Sequence, residues 1–185
     1  AQAAGISRDV YFNALAGFEP DPDILHRAET QPEFTKPVWE YLATAVSDER
    51  VRNGQRMLSQ YGRELDRIEQ RYGVEKEVIV AIWGMESAYG AILEGNSRLI
   101  KPVIRSLATL AYDGRRSSFF RQELMNALRI IDQGHISSKS MTGSWAGAMG
   151  QSQFMPSSFL SFAVDYDGDG KRDIWTSLPD VFGSI

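Results

Sequence analysis

AIWGMESAYG, residues 81–90, ends the clearest helical pattern in the sequence and places a carboxylate where that pattern predicts an apolar side chain. Residues from Val74 to about Tyr89 predict one helix with acidic residues in its first turn, where the helix dipole favours negative charge. Four residues of this helix recur at steps of three, four and three, so we expect them to share one buried face. They are Ile79, Ile82, Glu86 and Tyr89.

Apolar residues at helical spacing predict a mainly α fold for the rest of the chain as well. Residues 47–72 carry an apolar stripe typical of one long helix, which Gly73 is well placed to end. Asp21 followed by Pro22 is typical of a helix cap and first helical residue. Patterns that alternate as in strands are nearly absent, so we expect little β structure. The other predicted helices begin near residues 102, 120 and 156.

Composition limits the possible functions. The 185 residues suffice for one domain, or for one domain with a small lobe. A net charge of -4 argues against nucleic acid as a partner, because domains that grip phosphates are usually basic. The absence of cysteine excludes disulfides, thiolate metal sites and cysteine nucleophiles. No apolar run is long enough for a transmembrane segment, and AQAAG at the start is typical of a site left after signal-peptide removal.

A glutamate on a buried helix face suggests acid–base chemistry. Burial disfavours the ionised form and raises the pKa of a carboxyl group. A carboxylic acid that keeps its proton near neutral pH can protonate a leaving oxygen. In the alternative interpretation, Glu86 lies at the helix end and turns into water, or pairs with an arginine. The candidate arginines are Arg98, Arg105 and Arg115.

The glycine–glutamine segment, SWAGAMGQSQFMPSSF at residues 144–159, has the composition of a ligand-binding loop. Its glycines and alanines allow the backbone to approach a ligand closely. Gln151 and Gln153 offer both donors and acceptors, which suits hydroxyl and N-acetyl groups. Together with its aromatic residues, the segment favours a carbohydrate cleft over a phosphate site, since the P-loop lysine is missing. The alternative is a connector that only packs helices together.

The acidic segment, residues 165–180, opens with DYDGDGKRDIW. Asp165, Asp167 and Asp169 occupy positions one, three and five of an EF-hand-like loop, with Gly170 at six. Lys171 at position seven would offer its backbone carbonyl. Position twelve is Thr176 instead of glutamate, so the match ends early. Calcium is the predicted cofactor, because a hard cation relieves the repulsion between the carboxylates; the alternative is a surface turn without metal.

Taken together, AIWGMESAYG, the glycine–glutamine segment and VDYDGDGKRDIW resemble the lytic murein transglycosylases of the B type, glycoside hydrolase family 103. QPEFTKPVWEYL at 31–42 is similar to that family too, so the resemblance spans nearly the whole chain. It implies a lysozyme-like helical catalytic core at 75–185, preceded by an N-terminal helical region at 1–74. Family members continue beyond the equivalent of Ile185, so the core is expected to be truncated at its C-terminus.

The resemblance also implies roles for individual residues. Glu86 matches the family's single catalytic acid/base, and Asp180 matches the late aspartate that closes the family's long calcium loop. Phe119 stands where the family often has a tyrosine. A phenylalanine can still stack on a ligand, but it lacks the hydroxyl that would form a hydrogen bond. The residues expected to contact substrate are Tyr89, Arg115, Arg116, Phe119, Ser144, Met149 and Gln153.

The implied substrate is the peptidoglycan glycan strand, cut at the β-1,4 bond between N-acetylmuramic acid and N-acetylglucosamine. In the implied route Glu86 acts first as acid and then as base, and the product carries a 1,6-anhydromuramoyl end. No cofactor is expected for catalysis, the location is expected to be periplasmic, and other cell-wall enzymes are potential partners. Two alternatives stay open: a lysozyme-type hydrolase on the same fold, and a non-catalytic glycan- or calcium-binding module.

Overall fold

The structure, a computed structural model, describes residues 5–30, 37–94 and 99–185; residues 31–36 of the QPEFTKPVWEYL segment and Arg98 lie outside the described residues. The described residues form ten α-helices and one small antiparallel sheet, so the mainly helical prediction is confirmed. The helices are α1 (Arg8–Ala14), α2 (Pro22–Thr30), α3 (Val38–Ala45), α4 (Asp48–Gln60), α5 (Gly62–Tyr72), α6 (Lys76–Ser87), α7 (Val103–Asp113), α8 (Ser117–Asp132), α9 (Pro156–Phe162) and α10 (Leu178–Ser184). The sheet pairs β1 (Ile100–Pro102) with β2 (Thr142–Ser144), and Ile100 lies opposite Ser144.

The prediction of one helix over residues 47–72 is wrong, because the chain bends at Tyr61 between α4 and α5. Tyr61 leaves the helical region with φ -108° and ψ 14°. Its ring packs edge-on against the rings of Trp83 and Phe182, with centroid separations of 6.0 Å and 5.8 Å. Packing of this aromatic cluster favours the bend, which periodicity alone does not reveal. Gly73 ends α5 in the left-handed conformation, as predicted.

Ion pairs and hydrogen bonds hold the start of α2 against β1 and α7. The Asp21 carboxylate accepts a hydrogen bond from the Asp23 backbone N–H at 3.0 Å, which confirms the predicted cap. The Asp21 backbone N–H donates to the Thr109 hydroxyl in α7 at 3.1 Å. Lys101 Nζ lies 3.0 Å from the Asp23 carboxylate and 3.4 Å from that of Asp21. These contacts connect the N-terminal helices to the later part of the chain.

Two apolar cores organise the described residues. The first joins α1, α7, α8 and α9 with the interior of the glycine–glutamine segment, and the second joins α5, α6 and α10. The predicted boundary between residues 74 and 75 stays a prediction, although α5 and α6 on its two sides share the second core. Among the described residues, no helix has both the length and the apolar composition needed to cross a membrane.

Gly84 in α6 is a glycine because the Tyr89 ring occupies the space of a side chain. A Cβ at Gly84 would lie 2.5 Å from Tyr89 Cζ, whereas a Cβ at Gly62 would meet nothing within 4 Å. We expect Gly84→Ala to lower the free energy of unfolding by about 1–3 kcal/mol through overpacking. Gly62→Ala, the matched control at the start of α5, should leave it unchanged or raise it by up to about 1 kcal/mol. Urea unfolding checks both; equal effects would contradict the packing argument.

Candidate active site

The chain leaves α6 through three successive residues in the left-handed region. Ala88, Tyr89 and Gly90 have φ values of 51°, 62° and 85°. Such angles cost of order 1–3 kcal/mol for residues other than glycine, so the surroundings must hold them. The Ser87 hydroxyl does so, donating to the Trp83 carbonyl at 3.1 Å and accepting from the Gly90 N–H at 3.1 Å. The backbone that follows Glu86 is therefore fixed.

Tyr89 packs inside the protein, and its hydroxyl is already engaged. The hydroxyl donates to the Arg50 carbonyl in α4 at 2.8 Å. The ring lies edge-on to Trp83, with 5.4 Å between centroids, and fills the space beside Gly84. Burial raises the pKa of the Tyr89 hydroxyl, so it stays protonated. Tyr89 thus connects α4 to the end of α6, and its predicted contact with substrate stays a prediction.

Glu86 lies on an exposed flank of α6, so the prediction of a fully buried face is wrong. Ile79 is buried as predicted, but Ile82 and Met85 are 38% and 50% exposed. The inner face consists instead of Ile79, Val80, Trp83, Gly84 and Ser87. Even so, the protein around the Glu86 carboxyl removes part of its water and raises its pKa. The direction of the predicted pKa shift is therefore present without complete burial.

Among the described residues, no donor or cation pairs with the Glu86 carboxylate. The Arg115 side chain is 2.8 Å from the Asp113 carboxylate and 3.7 Å from that of Glu29. Arg105 lies 3.9 Å from the Asp21 carboxylate. Two of the three arginines that could have neutralised Glu86 are thus placed elsewhere, and Arg98 lies outside the described residues. An unpaired, partly desolvated carboxyl is suited to exchange protons with a ligand.

The glycine–glutamine segment begins with a tight turn closed by Ser144. The Ser144 backbone N–H donates to the Ala148 carbonyl at 2.7 Å, and the Ser144 hydroxyl accepts from the Ala148 N–H at 3.1 Å. Gly147 closes the turn at φ 93°, with the Leu107 side chain where a Cβ would stand. The hydroxyl of Ser144 is therefore held in a fixed direction at the end of β2.

The segment continues as a hairpin between Met149 and Phe154, whose backbones exchange hydrogen bonds at 2.8 Å and 3.2 Å. Gln153 lies in this hairpin at φ 50°, and its Nε2 donates to the Gly150 carbonyl at 2.9 Å. Its Oε1 accepts nothing from the described residues and remains available to a ligand. The assignment of Met149 to the cleft needs correction, because Met149 is fully buried in the first core.

Gln151 is used inside the protein, which corrects the interpretation that both glutamines face a ligand. Its Oε1 accepts from the Trp83 indole N–H at 2.8 Å. Its Nε2 donates to the Trp175 carbonyl at 2.8 Å. A buried indole N–H needs an acceptor, and this need is the only signal in the sequence that could have suggested the pairing.

Glu123 in α8 supports the far end of the same segment. Its buried carboxylate accepts from the Ser157 backbone N–H, the second residue of α9, at 2.8 Å. An acid at a helix N-terminus is stabilised by the unpaired N–H groups and the dipole. No local pattern in the sequence points to Glu123, because 34 positions separate it from its partner.

Arg115 and Arg116 are adjacent but differ in environment. Arg115 is paired with Asp113, which raises the pKa of the guanidinium. Arg116 is held at φ 52° before α8, and its guanidinium lies 4.6 Å from the centroid of the Phe119 ring. Among the described residues, no carboxylate forms an ion pair with Arg116, so its charge is free to meet an anionic ligand. Phe119 is partly exposed and supplies the flat surface beneath it.

Three aspartates of the acidic segment come together in a group that could hold a cation. One carboxylate oxygen from each of Asp165, Asp167 and Asp180 lies within 4.8 Å of the others. Asp180 is fully buried and accepts from the backbone N–H groups of Tyr166, Asp167 and Asp173. Burial nevertheless raises the pKa of the Asp180 carboxyl. Asp169 lies outside this group.

Lys171 is the residue predicted to offer its backbone carbonyl to the cation. Its backbone N–H donates to the Asp169 carboxylate at 2.8 Å. The ligand roles of Asp169 and Lys171 stay predictions.

The sequence matches the family described as Transglycosylase SLT domain over residues 1–185. The chain belongs to this family. It is 37% identical over 146 residues to Membrane-bound lytic murein transglycosylase B of Escherichia coli, a match that covers 78% of this chain and 39% of that protein. The predicted resemblance to B-type lytic murein transglycosylases is therefore confirmed.

Solved structures of lytic transglycosylases superpose on this chain. SltB3 from Pseudomonas aeruginosa, crystallised with NAG-NAM-pentapeptide and with NAG-anhNAM-pentapeptide, superposes with a TM-score of 0.92 at 50% identity. The match covers 99% of this chain and 48% of SltB3. The Escherichia coli lytic transglycosylase Slt35 in complex with calcium gives 0.83 at 31% identity, covering 99% of this chain and 57% of that one. The chain thus spans about half the length of these relatives, and the lysozyme-like helical fold is confirmed.

Proposed function

We propose that this chain acts in a lytic transglycosylase that cleaves the β-1,4 bond between N-acetylmuramic acid and N-acetylglucosamine of peptidoglycan and forms 1,6-anhydromuramoyl ends. The observation that carries the proposal is the unpaired Glu86 carboxyl, whose pKa is raised by partial desolvation. The family match and the two SltB3 complexes, with NAG-NAM- and NAG-anhNAM-pentapeptide, support the substrate class. A periplasmic location follows from that substrate and belongs to the same proposal.

In the proposed reaction Glu86 acts twice. Its protonated carboxyl donates a proton to the glycosidic oxygen, and the C1–O bond breaks with its electron pair moving to that oxygen. The substrate's own 2-acetamido group relieves the positive charge that develops at C1. The Glu86 carboxylate then takes the proton from the C6 hydroxyl, and O6 bonds to C1. Atoms balance without water, and Glu86 ends as it began, protonated.

A single carboxylate suffices for this route, whereas most glycosidases use two. Asp113 is a poor second candidate, because Arg115 lowers the pKa of its carboxyl and holds it in an ion pair. Glu94 lies exposed after the short 3₁₀ helix Ala91–Leu93. Glu123 is committed to capping α9. These assignments favour the one-carboxylate mechanism.

The substrate is proposed to lie along the glycine–glutamine segment. Ser144, with its hydroxyl fixed by the turn, would bind next to Glu86, and the free Oε1 of Gln153 would accept from a sugar hydroxyl or amide. Arg116 stacked on Phe119 would meet a carboxylate of the glycan or its peptide stem, since an arginine without an ion pair binds such groups through charge-assisted hydrogen bonds.

We expect Arg116→Ala to raise KM for peptidoglycan fragments about tenfold, equivalent to ~1.4 kcal/mol, with kcat little changed. Arg115→Ala, at the neighbouring position, should change KM by less than about twofold, because its charge is already balanced by Asp113. Steady-state kinetics on a soluble muropeptide check both variants. A larger KM effect for Arg115 than for Arg116 would contradict this assignment.

The acidic segment is proposed to be an EF-hand-like calcium site with a structural role. Asp165, Asp167 and Asp180 offer hard oxygen ligands within reach of one ion, and they lack compensating cations among their hydrogen-bond partners. Slt35, the Escherichia coli relative, was solved in complex with calcium. A bound divalent cation would neutralise the repulsion between these carboxylates and join α9 to α10 through the segment.

Mass spectrometry of the products tests the proposed reaction. Digestion of purified sacculi should release anhydro-muropeptides, each lighter by one water than the product of a lysozyme-type hydrolase. Reducing-end products would replace the proposal with the hydrolase alternative. Binding to sacculi without any released product would favour the non-catalytic module.

A further inference from the structure

The Gln151 side chain lies between the two segments that carry the proposed chemistry. Its amide oxygen accepts from the Trp83 indole in α6, and its amide nitrogen donates to the Trp175 carbonyl in the acidic segment, each at 2.8 Å. Its backbone N–H donates to the Ile174 carbonyl, also at 2.8 Å. A Cβ at Gly90 would lie 2.5 Å from Gln151 Oε1, so the turn after α6 closes directly over the amide.

On one side, hydrogen bonds lead from Gln151 to the aspartate group. The Trp175 backbone N–H donates to the Asp173 carboxylate at 2.9 Å. The Asp173 backbone N–H donates to Asp180 Oδ2 at 2.7 Å. The other oxygen of Asp180 holds the N–H groups of Tyr166 and Asp167 at the start of the acidic segment. Asp180 and Trp175 are thus joined through Asp173 by two successive hydrogen bonds.

On the other side, Gln151 acts on α6 through a rigid contact. Trp83 is 2% exposed and lies three residues before Glu86 on the same helix. Its ring packs edge-on against Tyr61 and Phe182, so the position of the indole is coupled to that of α6. Because the left-handed turn after Glu86 is also fixed over Gln151, both flanks of the Glu86 position depend on this amide.

We propose that Gln151 is a positioning residue that transmits the state of the acidic segment to α6 and thereby sets the placement of Glu86. Glutamine suits this position because it offers an acceptor to the indole and a donor to the carbonyl at once. Glutamate would lose the donor and methionine would lose both groups at similar volume. The inference rests on the proposed function for its effect on catalysis, but the linkage itself is a property of the described residues.

The test compares the wild-type chain with Gln151→Met, and uses Gln122→Met as a control. Gln122 is an exposed glutamine in α8 whose side chain, within the described part of the chain, bonds only to Asn126. The indole N–H signals of uniformly ¹⁵N-labelled protein are followed as calcium alone is added. We expect calcium to shift the Trp83 signal in wild type and in Gln122→Met, and to leave it unshifted in Gln151→Met. The melting temperature should still rise with calcium in all three proteins.

Kinetics then separate positioning from folding. In calcium, Gln151→Met should lower kcat about tenfold with KM within about twofold, whereas Gln122→Met should change neither. A Trp83 signal that calcium does not shift in wild type overturns the proposal. A Trp83 signal that calcium still shifts in Gln151→Met also overturns it, because the linkage would then run through Phe182. A wild-type chain that shows the expected signals but no turnover would refute the proposed function and leave the linkage intact.

Discussion

Replacing Glu86 with glutamine should lower the rate of anhydro-muropeptide release by at least about 100-fold, because glutamine can neither donate nor accept the transferred proton. The variant should fold normally, since Glu86 is exposed and makes no hydrogen bond to the described residues. Chromatography of sacculus digests with mass detection measures the loss, and thermal melting checks the fold. Wild-type release of products by this variant would show that Glu86 is not the acid.

Glu94→Gln is the matched control, because Glu94 is an exposed glutamate that follows α6. It should retain wild-type activity; a comparable loss would point to a second catalytic carboxylate.

The pH dependence of the rate gives a second check on Glu86. Glu86 must carry its proton to begin the reaction, and its pKa is raised by desolvation. The rate should therefore fall as pH rises through a pKa above that of an ordinary glutamate, instead of through the ordinary value.

Replacing Asp180 with alanine should have the largest effect on stability. It leaves the N–H groups of Tyr166, Asp167 and Asp173 without their acceptor, which should lower the free energy of unfolding by about 2–4 kcal/mol. At roughly 2–4 °C per kcal/mol for a chain of this size, the melting temperature should fall by about 4–16 °C. The calcium-dependent rise in melting temperature should also disappear.

Two further variants separate the causes of that loss. Asp180→Asn keeps an oxygen acceptor but removes the charge, so it should cost less stability while still weakening the calcium response. Asp66→Ala removes an exposed aspartate paired with Lys76, and should change the unfolding free energy by less than about 1 kcal/mol with the calcium response intact. A full calcium response in Asp180→Ala would exclude Asp180 as a ligand.

Local patterns in the sequence predicted much of the helical framework. The α6 helix, the cap at Asp21 and the end of α5 at Gly73 all follow from short-range preferences of the backbone and of side chains within a few residues. The break at Tyr61 did not follow, because it depends on packing against Trp83 and Phe182, which are 22 and 121 positions away in the printed sequence.

The candidate site divides in the same way. Spacing alone singled out Glu86 and the aspartates at 165, 167 and 169, of which Asp169 lies outside the group that the structure brings together. It could not distinguish Gln151, which bonds inside the protein, from Gln153, whose amide oxygen remains free, because the two differ only in which distant groups reach them. Nor could it show that Met149 is a core residue.

The sequence by itself determined which chemical groups this chain carries and where along the helices and loops they stand, because those properties depend on neighbours within a few positions. Only the tertiary structure decided their environment: that Glu86 is exposed yet partly desolvated, that Arg116 keeps its charge free while Arg115 does not, and that Asp180 joins Asp165 and Asp167. Burial and the choice of hydrogen-bond partner arise from contacts between residues far apart in the chain, and no local pattern encodes them.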